Sequence, residues 1–306
     1  MDDLYYHVDG ELVPADSATV SVRDRGFTYG DAVFETLRAY GGDVFRWDAH
    51  AERLADSAAA LSLDHGLSDA ELKRRVDETL RANDLDDAYV KLSLTRGVQP
   101  GKLTPDPDVD PTVVVQVKPL PPGGTASAPI WDDPATLQTV KTRRMPDDAL
   151  PSQAKTHNYL NGILARIELR VADADEAVML DEAGNLAEGA TSNLFFVADD
   201  ALCTPRLDGP VLPGITRAEV LDIARAEGIP VREGEFAPDD LRGADEAFVT
   251  NTTWEVRPVE TVDGIDVGGG PVTTLLRRVY DARVERDHYD GAASDERDHY
   301  DGASAE

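Results

Sequence analysis

The sequence predicts an α/β (α+β) protein of two domains, on three observations. Alternating, β-branched runs and amphipathic helical runs are interspersed along the chain. The stretch Pro119-Leu120-Pro121-Pro122-Gly123-Gly124-Thr125 can continue neither helix nor sheet. The 306 residues, 41% of them apolar, suffice for about two hydrophobic cores. The expected division is an N-terminal α+β domain over 1–118, a linker over 119–126, a C-terminal domain over 127–284 and an acidic, disordered tail over 285–306.

Tyr5 to Val8, the turn Asp9-Gly10 and Glu11 to Val13 read as a hairpin, because Asp-Gly supplies the positive φ angles of a two-residue turn. Ala32 to Tyr40, Gly41-Gly42-Asp43 and Val44 to Arg46 read as a second hairpin. Asp48 is positioned to cap a helix with Leu54, Ala58 and Leu61 on one face. Ser68 with Glu71 forms a capping box for a helix that turns Leu72, Val76 and Leu80 inward. Strands Ala88 to Thr95 and Thr112 to Lys118 complete this half.

Beyond the linker, Leu137 to Val140 reads as a strand, and the loop through Met145-Pro146 leads to Lys155 and a helix to about Val171. Ala177 to Leu180 and Ser192 to Val197 are strands around the Asp181–Asn185 turn. Gly214 to Glu227 is an amphipathic helix, Ala247 to Thr250 and Glu255 to Val262 are strands, and Val272 to Val284 is the last helix. In the tail, Glu285 to Ala292 recurs as Glu296 to Ala303, almost without aliphatic anchors, which predicts a solvated segment.

Composition excludes several classes of function. A formal charge of −29, from 59 acidic and 30 basic residues, argues against nucleic acid as a partner, since phosphate neutralisation needs a basic patch. An acidic surface of this density repels itself unless salt screens it, which suggests an organism with a salt-rich cytoplasm. No apolar run approaches the ~20 residues of a membrane span, and the start Met1-Asp2-Asp3 lacks signal-peptide character, so a cytoplasmic location away from membranes is expected. The single Cys203 excludes an internal disulfide and a multi-cysteine metal site.

Only six of the thirty basic residues are lysines, and Lys155 sits directly before a helical pattern. A lysine amine can attack a carbonyl, which an arginine cannot; taken alone, Lys155 reads rather as a solvated charge at a helix start. Leu212-Pro213-Gly214-Ile215-Thr216-Arg217 offers helix N-terminal amides and a hydroxyl to an anion, or is an ordinary helix start. Thr250-Asn251-Thr252-Thr253 at a strand end offers the same groups, or fills a polar turn. Arg53 can aim its guanidinium at an oxyanion, or pair with Glu52 or Asp56 at the surface. Glu188, between a short strand and small residues, could keep a pyridine nitrogen protonated, or sit in water at a turn.

Together these residues resemble the class IV (fold-type IV) pyridoxal phosphate enzymes: branched-chain and D-amino-acid aminotransferases and 4-amino-4-deoxychorismate lyases. The resemblance runs in colinear blocks: Arg23 to Asp31, Phe34 to Arg38, His50 to Ser57, Lys155 to Leu160, Glu188 to Asn193, Leu212 to Arg217 and Thr250 to Val259. It implies a smaller N-terminal domain, a larger C-terminal domain with a β-barrel-like sheet, pyridoxal 5'-phosphate between them, and a homodimer. It also implies that Lys155 carries the cofactor, Glu188 faces its ring nitrogen, Tyr159 its hydroxyl, and Arg53, Ile215, Thr216 and Thr252 its phosphate. Tyr29, Lys91 and Arg96 are then expected to meet a small amino substrate. Phe34-Glu35-Thr36, with a threonine implied to assist elimination, is similar to the lyase branch, so pyruvate elimination giving 4-aminobenzoate is the first expectation. Amino-acid transamination at the same lysine is the alternative, and a non-catalytic binding protein a remote third.

Overall fold

The computed structural model describes residues 4–290. β1 (Tyr5–Val8) and β2 (Glu11–Pro14) form the first hairpin, with Asp9 and Gly10 taking the positive φ angles that its turn requires. A short α1 (Arg25–Tyr29) precedes β3 (Ala32–Tyr40), β4 (Asp43–Val44), α2 (Trp47–Ala60), α3 (Asp69–Ala82), β5 (Ala88–Thr95) and β6 (Val113–Pro119). The strands make one antiparallel sheet in the order β2-β1-β6-β5-β3-β4. Ser68 accepts the Glu71 amide, half of the expected capping box; the Glu71 carboxylate turns instead to Arg74 and Arg75. Asp48 does not cap α2: the helix starts at Trp47, Arg46 takes a left-handed φ of 53° as its cap, and Asp48 lies inside the first turn. There its charge still complements the helix dipole.

Side-chain alternation along β3 divides the labour between its two faces. Val33, Leu37 and Ala39 join Leu54, Leu72, Val76 and Leu80 of the helices in one core. Phe34, Thr36, Arg38 and Tyr40 point the other way, toward the second half of the chain, where Tyr40 packs with Phe195, Phe248 and Tyr280. This face of β3 therefore supplies both packing and functional groups.

The second sheet contains β7 (Ala135–Thr139), β8 (Glu176–Leu180), β9 (Leu186–Gly189), β10 (Asn193–Ala198), β11 (Ala201–Pro205), β12 (Val231–Gly234), β13 (Glu246–Asn251), β14 (Glu255–Val262) and β15 (Ile265–Asp266). Its order is β12-β11-β10-β13-β14-β7-β8-β9, with β15 on β14, and it curls so that β9 returns beside β10. α4 (Leu160–Ala172), α5 (Ile215–Ala226), α6 (Pro238–Arg242) and α7 (Pro271–His288) complete the fold. Phe195 and Phe248 stack at 4.9 Å between β10 and β13 under α5 and α7, while Leu194, Phe196, Ala247 and Val249 serve the core on the opposite face.

Two further helix boundaries differ from expectation. α4 begins at Leu160 rather than near Lys155, because the preceding segment pairs with β3 instead. α7 continues past Val284 to His288, and Tyr289 then bonds Asp87 and accepts the Gly123 amide at 3.1 Å. The disordered tail expected from 285 is thus corrected for its first residues, which this aromatic anchor ties to the linker; 291–306 lie outside the described residues. No helix among the described residues is long and apolar enough to cross a membrane.

α7 also carries a half-buried acid with a measurable consequence. Burial, reinforced by nearby Glu255, pushes the Asp281 carboxyl from an ordinary 3.8 up to about 7. Between those values the folded chain keeps a proton that the unfolded chain releases, so stability falls as pH rises from about 4 to 7 and then levels. Asp281→Asn mimics the protonated form. Thermal melts should show it more stable than the parent by about 1–2 kcal/mol near pH 8, after discounting for partial solvation, and no different near pH 4. An equal offset at both pH values would contradict this.

Candidate active site

Lys155 is held by its backbone against the first sheet. Its N–H donates to Ser57 Oγ at 2.9 Å, and its carbonyl accepts from Phe34 N at 3.0 Å. His157 N donates to Ala32 O, and Thr156 bridges Val33, so residues 155–157 are tied by their backbone to the start of β3. The half-buried amine is then free of structural duty. Nζ donates to Tyr159 Oη at 3.0 Å and lies 4.5 Å from the Phe34 ring centroid, and no carboxylate among the described residues pairs with it. An amine with an aromatic face and a phenol as neighbours is placed to react rather than to neutralise a charge.

Around it opens a cavity of about 450 Å³ lined by Phe34, Thr36, Arg53, Tyr89, Arg144, Lys155, Tyr159, Glu188, Asn193, Ile215, Thr216, the Thr250–Trp254 segment and others. One end has the donors that an anion needs. α5 starts at Gly214 without any side-chain cap, leaving its first amides to a ligand. Gly214 is required by close approach: a Cβ there would lie 2.0 Å from Asn193 Oδ1, while Asn193 Nδ2 donates to Leu212 O at 3.0 Å. Asn193 thereby fixes the direction of the helix entry. Thr252 also lines the cavity, and the buried hydroxyl of Thr250 has no protein partner among the described residues.

Arg53 reaches this end, but neither Glu52 nor Asp56 holds it. Glu35, on the helix-facing side of β3, takes Arg53 Nε at 2.8 Å and Nη2 at 2.6 Å, and His50 Nδ1 at 2.8 Å. Burial alone would raise the Glu35 carboxyl; Arg53 and His50 outweigh it and bring it down to about 2. Burial in turn lowers His50 despite Glu35, so the imidazole donates as a neutral ring. Arg53 Nη1 donates to Pro213 O at 2.9 Å, joining α2 to the entry of α5. Glu35 and His50 fall inside the sequence blocks, yet their role needed the packing of β3 on α2 to be seen.

At the other end Glu188, 7% exposed, has both oxygens engaged: Oε1 accepts Arg144 Nε at 2.6 Å and Oε2 accepts Leu212 N at 2.9 Å. The turn that follows is built on Glu176. This fully buried carboxylate accepts from the amides of Ala177, Ala190 and Thr191 and from the hydroxyls of Thr191 and Ser192, so it sets how β9 hands over to β10. Neither Arg144 nor Glu176 was marked by any sequence signal.

Lys155, Thr36, Arg53, Tyr159, Glu188, Ile215, Thr216 and Thr252 therefore share one cavity; the three expected substrate contacts do not line it. Arg96 is corrected: it is buried, pairs with Asp31 at 2.8 Å, donates to the carbonyls of Leu61 and Ser62, and stands outside the cavity lining. Tyr29 is 41% exposed, at the end of α1 with Arg25 4.9 Å from its ring centroid, and lies outside the cavity within this chain. Lys91 sits opposite Thr36 in the β3–β5 register, but its amine stands 5.0 Å from the Phe34 centroid, outside the lining. Burial, then the charge of Lys155, lowers its pKa.

A model of class IV amino-transferases matches residues 32–262. A Methanocaldococcus jannaschii protein provisionally named a branched-chain-amino-acid aminotransferase is 40% identical over 273 residues, covering 89% of this chain and 93% of its own. The D-alanine aminotransferase of Listeria monocytogenes 10403S is 32% identical, covering 91% and 96%. The T.th. branched-chain amino acid aminotransferase, solved with pyridoxamine 5'-phosphate, superposes with a TM-score of 0.86 at 32% identity, covering 96% and 98%. With its curled second sheet and one cavity collecting Lys155, Glu188 and the α5 N-terminus, the chain belongs to the class IV amino-transferases, fold-type IV enzymes that depend on pyridoxal phosphate.

Proposed function

We propose that the protein is an amino-acid transaminase, moving the amino group of a branched-chain amino acid to a 2-oxo acid. The observation that carries this reading is the placing of an unpaired lysine amine, a doubly bonded carboxylate and an uncapped helix N-terminus around one cavity. These groups fit pyridoxal phosphate: the amides of Ile215 and Thr216, the hydroxyls of Thr216 and Thr252, and Arg53 hold its phosphate, and Glu188 its ring nitrogen. The orphaned Thr250 hydroxyl is a further sign that this end awaits a polar ligand. Bound there, the cofactor supplies an electron sink for charge developing at the substrate Cα. Lys155 Nζ takes the Cα proton of the donor amino acid and, in the return half of the reaction, gives a proton to the Cα of the acceptor, with Tyr159 Oη orienting the amine.

The relatives are named as transaminases of branched-chain or D-amino acids, which favours transfer over the pyruvate elimination first expected from Thr36. Phe34, Leu150, Tyr159 and Trp254 give the cavity an apolar lining suited to an aliphatic side chain. The test is turnover on a panel of L-valine, L-leucine, L-isoleucine and D-alanine with 2-oxoglutarate, beside pyruvate release from aminodeoxychorismate. L-branched-chain donors are expected to lead by about tenfold or more in kcat/KM, the worth of a few methylenes in an apolar pocket. Preference for D-alanine would replace the donor, and pyruvate release without amino transfer would restore elimination.

A further inference from the structure

We propose that Arg38 is a positioning residue, a guanidinium that crosses from β3 to brace the Asn251–Glu255 turn from behind and so aims Thr252 at the anion end of the cavity. The inference rests on the reading of Thr252 as a phosphate contact and adds the device that holds it there. Arg38 follows Thr36 on the same face of β3 and is 2% exposed. Its Nη1 donates to Thr253 O at 3.1 Å and pairs with Glu255 Oε1 at 2.9 Å, while Nη2 donates to Pro121 O at 3.2 Å. One side chain thus joins the first sheet, the linker and the turn.

The turn cannot hold its shape on local terms alone. In front, Asn251 Oδ1 accepts the amides of Thr253 and Trp254, at 3.0 and 2.7 Å, which closes a side-chain turn. Behind, Glu255 starts β14 with a left-handed φ of 59°, a conformation that a non-glycine residue keeps only when its surroundings fix it. Its carboxylate, which receives Arg38 and the Tyr40 hydroxyl, the latter at 2.5 Å, fixes it together with the pairing of Glu255 to Asn251 between β14 and β13. Losing the guanidinium would leave that carboxylate buried without a cation and Thr253 O without its donor. The backbone would then relax, and the Thr252 hydroxyl with it.

Arg38→Lys keeps the charge but cannot span Thr253 O, Glu255 and Pro121 O together. Binding of pyridoxal phosphate, and separately of inorganic phosphate, to the full-length apoprotein is read from intrinsic fluorescence, since Trp254 lines the cavity. The expected result is affinity for both ligands lowered about tenfold, the size of one charge-assisted hydrogen bond, with kcat at saturating cofactor within about threefold of the parent. Glu255→Gln, which leaves the Thr253 contact in place, gives the same pattern more weakly and serves if Arg38→Lys does not fold. Arg46→Lys is the control: Arg46 also crosses between the halves, to Glu219 and Asp287, without touching the turn, and should bind as the parent does. Parental affinity in both Arg38→Lys and Glu255→Gln, or an equal loss in Arg46→Lys, overturns the brace alone. A parent apoprotein that binds neither ligand overturns the reading of the site and the brace with it.

Discussion

Lys155→Ala is expected to lose at least about 10⁴-fold in amino-transfer turnover while folding normally, the scale seen when an essential nucleophile is removed. The two halves of that expectation come from different atoms. The bonds that tie residue 155 to the fold, Lys155 N to Ser57 Oγ and Phe34 N to Lys155 O, belong to the backbone and survive truncation. The amine beyond them donates only to Tyr159, so its loss strands no buried charge, and the half-buried phenol facing the cavity is open to water. Thermal melting should therefore change little, while turnover and the visible absorbance of lysine-linked cofactor both disappear. Turnover within about tenfold of the parent would remove Lys155 from the chemistry.

What the sequence made legible followed the range of the interactions. Lys155, Arg53, Glu188, Thr216 and Thr252 stand in local patterns, a helix start or a strand end beside small residues, and the fold brings them around one cavity. The role of Glu35, and Arg144 and Glu176 altogether, escaped notice because a carboxylate or a guanidinium declares no partner. Arg144 meets Glu188 across 44 residues, and Arg53 meets Glu35 across 18. The start of α4 was misplaced for a related reason: helical propensity before Leu160 loses to backbone pairing with β3, a contact more than a hundred residues away in sequence. Arg96 shows the converse error, an arginine that looks available until Asp31 and two carbonyls claim it.

Glu188→Gln should lower kcat by about 10²–10³-fold, roughly 3–4 kcal/mol, with cofactor affinity lowered much less. Both carboxylate oxygens already accept strong donors, from Arg144 Nε at 2.6 Å and Leu212 N at 2.9 Å, in a place almost closed to solvent. The amide keeps the volume but has one acceptor oxygen, so its NH2 group must face a donor on one side. On the proposed reading it also removes the negative charge that would keep the ring nitrogen protonated, and that charge would matter most as electrons move away from the substrate Cα. The end of the cavity proposed for the phosphate is built on other elements, by Arg53 with Glu35 and by the α5 N-terminus, so cofactor binding should survive while its chemistry fails. Glu188→Asp separates charge from shape: it keeps the anion, one methylene short, and should recover part of the loss. Steady-state kcat for the three proteins decides the matter, because a glutamine variant as fast as the parent would leave Glu188 a partner for Arg144 and nothing more.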